Sequence, residues 1–308
     1  PFEFDTGTSP VYTRFDRGDK VASRLNHRNR DRQIAIQIGS RIMKPNRIKQ
    51  VMREGSLALV SHVGFADPAV VEIIASAGFD GAFIDMEHSI FDLQTVGEMI
   101  RVADLCDITP VVRVPDENPK TILRLLDMGA QGIQVPHIAG AEGARKAVEA
   151  IRYPPLGDRG GAGSSRAAGC GSVPWLEHMK TSNEEILLIV MTEDKQGLAE
   201  IAEIAAVDGV DLIALGPTDI STALGMTDPT DPRLKETFEE LAAKVKAVGK
   251  AGVYIPVNHA ACRFTPQDLL KMGVNYSSVA PAPPTIVLNA LKASAKNIRE
   301  EAAKAVKV

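Results

Sequence analysis

From residue 55 onward the chain repeats one hydrophobic pattern. A short, continuously apolar run is followed by a longer stretch in which apolar residues recur three and four positions apart. The runs predict strands at 56–60, 81–85, 109–114, 132–135, 186–191, 211–215, 252–255 and 276–279. The stretches between and after them predict helices at 67–77, 93–106, 119–128, 141–151, 196–206, 233–249, 266–272 and 285–305. Helix punctuation supports the reading: Pro68 falls in a first turn and Gly78 follows a last one. The strands are apolar throughout instead of alternating, as in a parallel sheet covered by helices on its outer face. Eight such units in about 250 residues predict an α/β protein with a (β/α)8 TIM barrel. An open doubly wound sheet is the alternative, but no G-x-G-x-x-G follows any strand, and polar residues recur at most strands' carboxyl ends.

Residues 1–54 stand apart from this rhythm as an N-terminal extension with a leading helix, and 55–308 form the barrel, including the long C-terminal helix. The leading helix is expected at 44–54, where Ile48, Val51 and Met52 share one face. Upstream of it, Arg14, Arg17, Lys20, Arg24, Arg28, Arg30 and Arg32 make the extension basic; a solvated arm packing on the barrel or a neighbouring subunit accounts for it better than an anion site. Two stretches break the pattern within the barrel. Residues 157–172 are rich in Gly, Ser and Ala and carry Arg159 and Arg166, which reads either as a mobile active-site lid or as a plain surface loop. The last helix is longer than barrel closure requires, and its Ile286, Leu288, Leu291 and Ile298 suit a subunit contact as well as the barrel wall.

Composition narrows the function classes. A net charge of −4 and 5% aromatic residues argue against nucleic acid and against an anionic membrane surface as partners. No apolar run reaches the length of a membrane span. Cys106, Cys170 and Cys262 are few, odd in number and scattered, which fits reduced thiols and a cytoplasmic location better than a disulfide framework.

In a barrel of this kind chemistry collects where the strands end, so the exits carry the candidate site. They are Ser61-His62, Asp85 through His88, Arg113, Pro136-His137, Thr192-Glu193-Asp194, Gly216-Pro217-Thr218-Asp219 and Pro256 through His259. Glu193 and Asp219 leave neighbouring strands, and two adjacent carboxylates repel unless a cation neutralises them. A hard divalent ion, Mg²⁺ or Mn²⁺, is one partner for them, and a salt bridge from Arg113 is the other. The backbone N–H groups of Gly216, Pro217's successor Thr218 and Asp219 turn from strand into helix and suit a carboxylate, while a simple N-cap is the plainer reading. His88 has the character of a general base, with Asp127 as a candidate orienting acid. Asp127 also reads as a solvated helix terminus, and His137 as a hydrogen-bonded core histidine.

Several blocks occur together: Ala75-Ser76-Ala77-Gly78-Phe79-Asp80, Ile84-Asp85-Met86-Glu87-His88, Pro110-Val111-Val112-Arg113, Leu125 through Gln131, Arg152 through Gly157, and Gly209 through Ser221. In this order they resemble the HpcH/HpaI aldolases, metal-dependent enzymes of pyruvate chemistry, and within them a fungal synthase branch. The resemblance implies that Glu193 and Asp219 hold Mg²⁺, or another divalent cation, and that Arg113 stabilises an enolate. It implies a proton-handling role for His88 with Asp127 and a role toward a second substrate for His137. It further implies a lyase that decarboxylates oxaloacetate to a pyruvate enolate and adds it to a second electrophile, a 2-pyrone. A retro-aldolase cleaving 4-hydroxy-2-oxo acids to pyruvate and an aldehyde is the alternative, and a non-catalytic barrel subunit the remote one. Swapped last helices and a hexamer built as a trimer of dimers are the implied assembly. Met191 departs from the pattern, since bacterial members carry Gln two residues before the metal-binding Glu. Asp85 and Glu87 are expected to orient neighbours such as Arg113 instead of binding the metal.

Overall fold

The eight apolar runs pair side by side because each lacks a polar face to turn toward water. In the computed structural model, which describes residues 43–226, 228 and 231–305, they form eight parallel strands closed in sequence order, with β8 returning to β1. The strands are β1 (Ala58–His62), β2 (Gly81–Asp85), β3 (Thr109–Arg113), β4 (Gly132–Val135), β5 (Leu187–Met191), β6 (Leu212–Ala214), β7 (Gly252–Tyr254) and β8 (Tyr276–Ser278). This is the (β/α)8 barrel that the hydrophobic pattern predicts. The basic segment from Arg14 to Arg32 lies outside the described residues.

Alternate residues of each strand serve two cores. In β5, Leu187, Ile189 and Met191 fill the barrel interior with Phe83, Tyr254 and Tyr276. Leu188 and Val190 join the larger layer between strands and helices. The leading helix α1 (Arg47–Arg53) inserts Ile48 into the interior cluster. Its N-cap Asn46 donates to the Gln131 and Glu185 carbonyls, both just before strands begin, so α1 seals the amino-terminal floor of the barrel. The interior therefore opens only toward the strands' carboxyl ends.

The helices are α2 (Ala69–Ser76), α3 (Leu93–Leu105), α4 (Pro119–Met128), α5 (Ala141–Ile151), α6 (Trp175–Glu185), α7 (Lys195–Ala199), α8 (Ile201–Ala205), α9 (Pro217–Ala223), α10 (Pro232–Val248), α11 (Pro266–Met272) and α12 (Pro283–Ala305). Three details differ from the sequence-based expectation. Strand one begins two residues later than its apolar run, because Ala58 pairs with Tyr276; this keeps His62 in the ladder opposite Phe83. The helix expected at 196–206 is two short helices that meet at Glu200. Helix α6 is additional. Its buried residues are His178 and Ser182, so an apolar period could not reveal it.

The glycine-rich stretch 157–172 is not an active-site lid within this chain. It joins α5 to α6 ahead of β5, which places it on the amino-terminal side of the barrel. The Arg159 side chain is 0% exposed and donates to Asp127 Oδ1 and to Ser182 Oγ, each at 3.0 Å. Arg166 donates to the Met128 carbonyl at 3.1 Å and to Asp104 Oδ2. Two arginines thus clasp the loop to the ends of α3, α4 and α6. None of the described helices is long and apolar enough to cross a membrane.

Candidate active site

Register brings the functional side chains together. Asp85 pairs with Arg113 across β2 and β3, Arg113 with Gln134 across β3 and β4, and Met191 with Ala214 across β5 and β6. Each lies at or near the carboxyl end of its strand.

Arg113 is 9% exposed and flanked by two carboxylates. Its Nε and Nη2 donate to the two oxygens of Asp85 at 2.9 and 2.5 Å, the fork-to-fork geometry that fixes a guanidinium in a plane. Its Nη1 lies 3.1 Å from Glu87 Oε2 and faces the Met191 sulfur at 3.9 Å. Burial works to raise the Asp85 pKa, but the Arg113 hydrogen bonds and charge outweigh it and hold Asp85 below the usual carboxylate range. The expectation that Asp85 and Glu87 orient Arg113 is met. Asp85 Oδ1 also accepts from the Glu87 and His88 amides, which locks the turn that leaves β2.

With Arg113 committed to those two acids, the salt-bridge alternative for Glu193 and Asp219 falls away. Glu193 is only 7% exposed. Burial, followed by the Asp219 charge and a hydrogen bond to Asp219, pushes its pKa up. The two carboxylates therefore share a proton or need a cation between them. Glu193 Oε1 has no hydrogen-bond partner among the described residues, although His137 Nδ1 approaches it to 2.8 Å. Gly216 keeps the space clear: a Cβ there would come 2.5 Å from Met191 Cε and 3.4 and 3.6 Å from Asp219 Oδ2 and Glu193 Oε2. Two hard oxygen ligands around a space that only glycine leaves open fit a divalent cation whose other positions go to water or substrate. No group of three or more His, Cys, Asp or Glu side chains placed to hold a metal ion occurs among the described residues.

The histidines divide. His137, in the left-handed region at φ 57°, reaches Glu87 Oε1 at 2.9 Å with its other ring nitrogen and so bridges Glu87 and Glu193. This is not the buried core histidine of the plainer reading, since 67% of its side chain is exposed. His88 is 69% exposed and 3.8 Å from Glu87. The structure does not bring Asp127 to it within the chain: Asp127 ends α4 on the barrel's floor, held by Arg159. A residue that precedes an α-to-β connection faces away from the strands' carboxyl ends, whatever its polarity suggests.

A cavity of about 770 Å³ opens beside this cluster, lined by Arg113, His88, Met191 and the predicted segment Gly216, Pro217, Thr218 and Asp219. Sequence reasoning missed several of its walls. Gln134 is 2% exposed and its Oε1 is unpaired; a polar residue inside an apolar strand was the available signal. Tyr254 donates to Ser278 Oγ at 2.7 Å, and burial pushes its phenol up to about 12. His62, among the predicted exit residues, lies tilted against Phe83 at 4.5 Å between ring centres, and burial lowers its imidazole to about 4, so it is neutral at pH 7. Arg263, from the loop after β7, carried no sequence signal at all.

A family model described as HpcH/HpaI aldolase/citrate lyase matches residues 59–281. The chain belongs to that family. The hydroxypyruvate/pyruvate aldolase of Roseovarius nubinhibens is 37% identical over 220 residues, 71% of this chain and 85% of that one. Among solved structures, an HpcH/HpaI aldolase from Desulfitobacterium hafniense superposes with a TM-score of 0.74 at 26% identity, covering 83% of this chain and 98% of the other. Macrophomate synthase superposes with a TM-score of 0.68 at 21% identity, covering 84% and 92%, a likeness that establishes the shared fold.

Proposed function

We propose that this HpcH/HpaI member is a lyase that makes and breaks carbon–carbon bonds through the enolate of pyruvate. A proton leaves the pyruvate methyl group, the resulting enolate carbon attacks a carbonyl carbon, and the new alkoxide takes up a proton to give a 4-hydroxy-2-oxo acid. Cleavage is the reverse. One observation carries the reading: Asp85 and Glu87 hold Arg113 in place, which leaves Glu193 and Asp219 beside one another with no Lys or Arg ion pair among the described residues.

Glu193 and Asp219 would hold a divalent cation, Mg²⁺ or Mn²⁺, whose Lewis acidity lowers the cost of negative charge on the enolate oxygen. Arg113 supports the same charge from a fixed plane, and a preorganised donor of this kind contributes about 3–4 kcal/mol. It needs no reorganisation because Asp85 already sets its orientation. The amides at the start of α9, from Thr218 and Asp219, take the substrate carboxylate, and Gly216 and Pro217 shape the turn that exposes them. His88 and His137 stand at the rim as proton carriers, and Glu87 lies between them. The exposed apolar residues Ile286, Leu288, Leu291 and Ile298 of α12 support a homo-oligomer built through that helix.

Pyruvate in D₂O tests the core of this reading. Methyl-proton exchange followed by NMR should require the divalent ion and stop with EDTA; no exchange under any divalent ion defeats it.

A second reading keeps the same enolate but forms it from oxaloacetate. The bond to the departing carboxylate breaks, CO₂ leaves and its electron pair remains on carbon, so no base is needed. The enolate then adds to a 2-pyrone, as in a macrophomate synthase-like reaction. The cavity volume favours it, being several times the room that pyruvate fills, as does Met191, a soft apolar residue at the cavity base. Comparing kcat/KM for oxaloacetate decarboxylation and for cleavage of a 4-hydroxy-2-oxo diacid separates the two. A barrel that binds Mg²⁺ and pyruvate by calorimetry yet turns over neither would be a non-catalytic subunit.

A further inference from the structure

The inner end of the cavity holds an amide with too few partners. Arg113 on β3 and Gln134 on β4 are paired residues, and Met191 lies two positions past Ile189, the residue that pairs with Gln134 on β5. Alternation along the strands turns all three side chains to the same face, and all three line the cavity. Their polar ends meet at one atom. Gln134 Nε2 donates to the Met191 sulfur at 3.3 Å, and Arg113 Nη1 faces the same sulfur as a donor at 3.9 Å. Gln134 is 2% exposed, and its Oε1 is buried without a hydrogen-bond partner among the described residues. A flipped amide would set an oxygen against the sulfur's lone pairs, so the N–H belongs where it stands. Packing alone asks for an apolar side chain here, as at Val111, Leu187 and Ile189 in the same interior cluster. A buried amide served only by a thioether carries a desolvation cost that the folded chain does not recover.

Two N–H donors from adjacent strands, converging on one weak acceptor inside a cavity, have the geometry of an oxyanion site. Thioether sulfur accepts weakly, and the three side-chain torsions of methionine let it withdraw. An oxygen that carries negative charge is the stronger acceptor for both donors. We propose that Gln134 is a catalytic residue, whose Nε2 donates to the substrate oxygen on which the enolate charge develops, beside Arg113 Nη1. The inference rests on the enolate reading and deepens it: Arg113 gives that oxygen a charged donor and Gln134 a neutral one. Gln134 keeps both of its amide hydrogens. The electron pair of the broken methyl C–H bond moves through the carbonyl onto the oxygen between the two donors, and the proton goes to the base.

The test uses the full chain with Mg²⁺. Gln134→Leu removes the amide and keeps a side chain suited to the barrel interior, and Gln134→Met is a second apolar replacement that separates loss of the amide from a packing defect. In methyl-proton exchange of pyruvate in D₂O, both variants should lower kcat about a hundredfold, the scale of one oxyanion donor, with KM within about threefold. A loss confined to KM, or a kcat within about threefold of wild type, overturns the proposal.

Calorimetry reads the same donor without turnover. Oxalate is a planar dianion that carries negative charge where pyruvate has a neutral 2-oxo oxygen. Gln134→Leu should reduce the ratio of oxalate to pyruvate affinity about tenfold, as expected for one hydrogen bond to a charged group. A side chain that only shapes the barrel would move both affinities together, so an unchanged ratio overturns the inference. If wild type exchanges no methyl protons while the ratio falls in the variant, the enolate reading fails and Gln134 stands as a donor to a charged oxygen. If wild type exchanges and the variants exchange equally well, the role of Gln134 alone fails.

Discussion

The two ends of this barrel handle buried charge in opposite ways. On the floor Arg152, Lys49 and Arg159 sit in ion pairs. Arg152 donates to the Asn183, Ile186 and Gly209 carbonyls and to Asp211 Oδ2, and Lys49 reaches the other oxygen of Asp211 at 2.9 Å. Arg159 is closed off by Asp127 and Ser182. At the carboxyl end the cluster is only half matched: Asp85 and Glu87 share Arg113, while Glu193 and Asp219 have no Lys or Arg ion pair among the described residues. Burying like charges together destabilises a fold, so a cluster that persists points to a ligand or a task. Matched charges mark the scaffold and unmatched ones mark the site.

Breaking each end should therefore give opposite phenotypes. The largest effect is expected from Glu193→Gln, which should lower turnover of pyruvate-derived substrates by about a thousandfold and abolish Mn²⁺ binding by calorimetry. Stability should hold or rise, because the variant removes repulsion with Asp219; an unfolded variant would contradict the comparison. Arg152→Met on the floor should do the reverse. It removes the guanidinium's bonds to Asp211 and three carbonyls and should cost about 3 kcal/mol in chemical denaturation, with activity per folded molecule nearly unchanged.

Acid should sharpen the same contrast through His62. Its folded pKa of about 4 lies below the unfolded value of 6.5, so the unfolded chain takes up the proton first. That contribution is intact above about pH 6.5 and is lost as pH falls toward 4, about 1–2 kcal/mol by pH 5. His62→Phe should flatten that part of the stability–pH curve; an unchanged curve would remove His62 as the cause. The smallest effect concerns the thiols. Cys170 is exposed, whereas burial pushes Cys262 up to about 11, so iodoacetamide at pH 7 should alkylate Cys170 and spare Cys262 until unfolding, as read by mass spectrometry.

Much of the site was legible in the chain because the fold converts one-dimensional order into position. Once eight apolar runs imply a closed parallel barrel, every strand exit falls on one face, and Arg113, Glu193, Asp219 and His88 follow. Asp127 and the stretch 157–172 lie away from that face of their own chain for the complementary reason. They are polar or flexible and look functional, yet both sit at α-to-β connections, on the opposite face. Helix α6 was invisible because polar side chains, His178 and Ser182, do its burying.

By itself, the sequence determined the barrel, its strand order and the face that carries chemistry, because apolar periodicity and connection direction are local properties. Only the tertiary structure decided which acids neutralise which cations. That Arg113 goes to Asp85 and Glu87 and that Glu193 and Asp219 are left to each other depends on distances of a few ångströms between strands and loops far apart in the chain. Electrostatic pairing is settled by that proximity, which no residue spacing along the chain encodes.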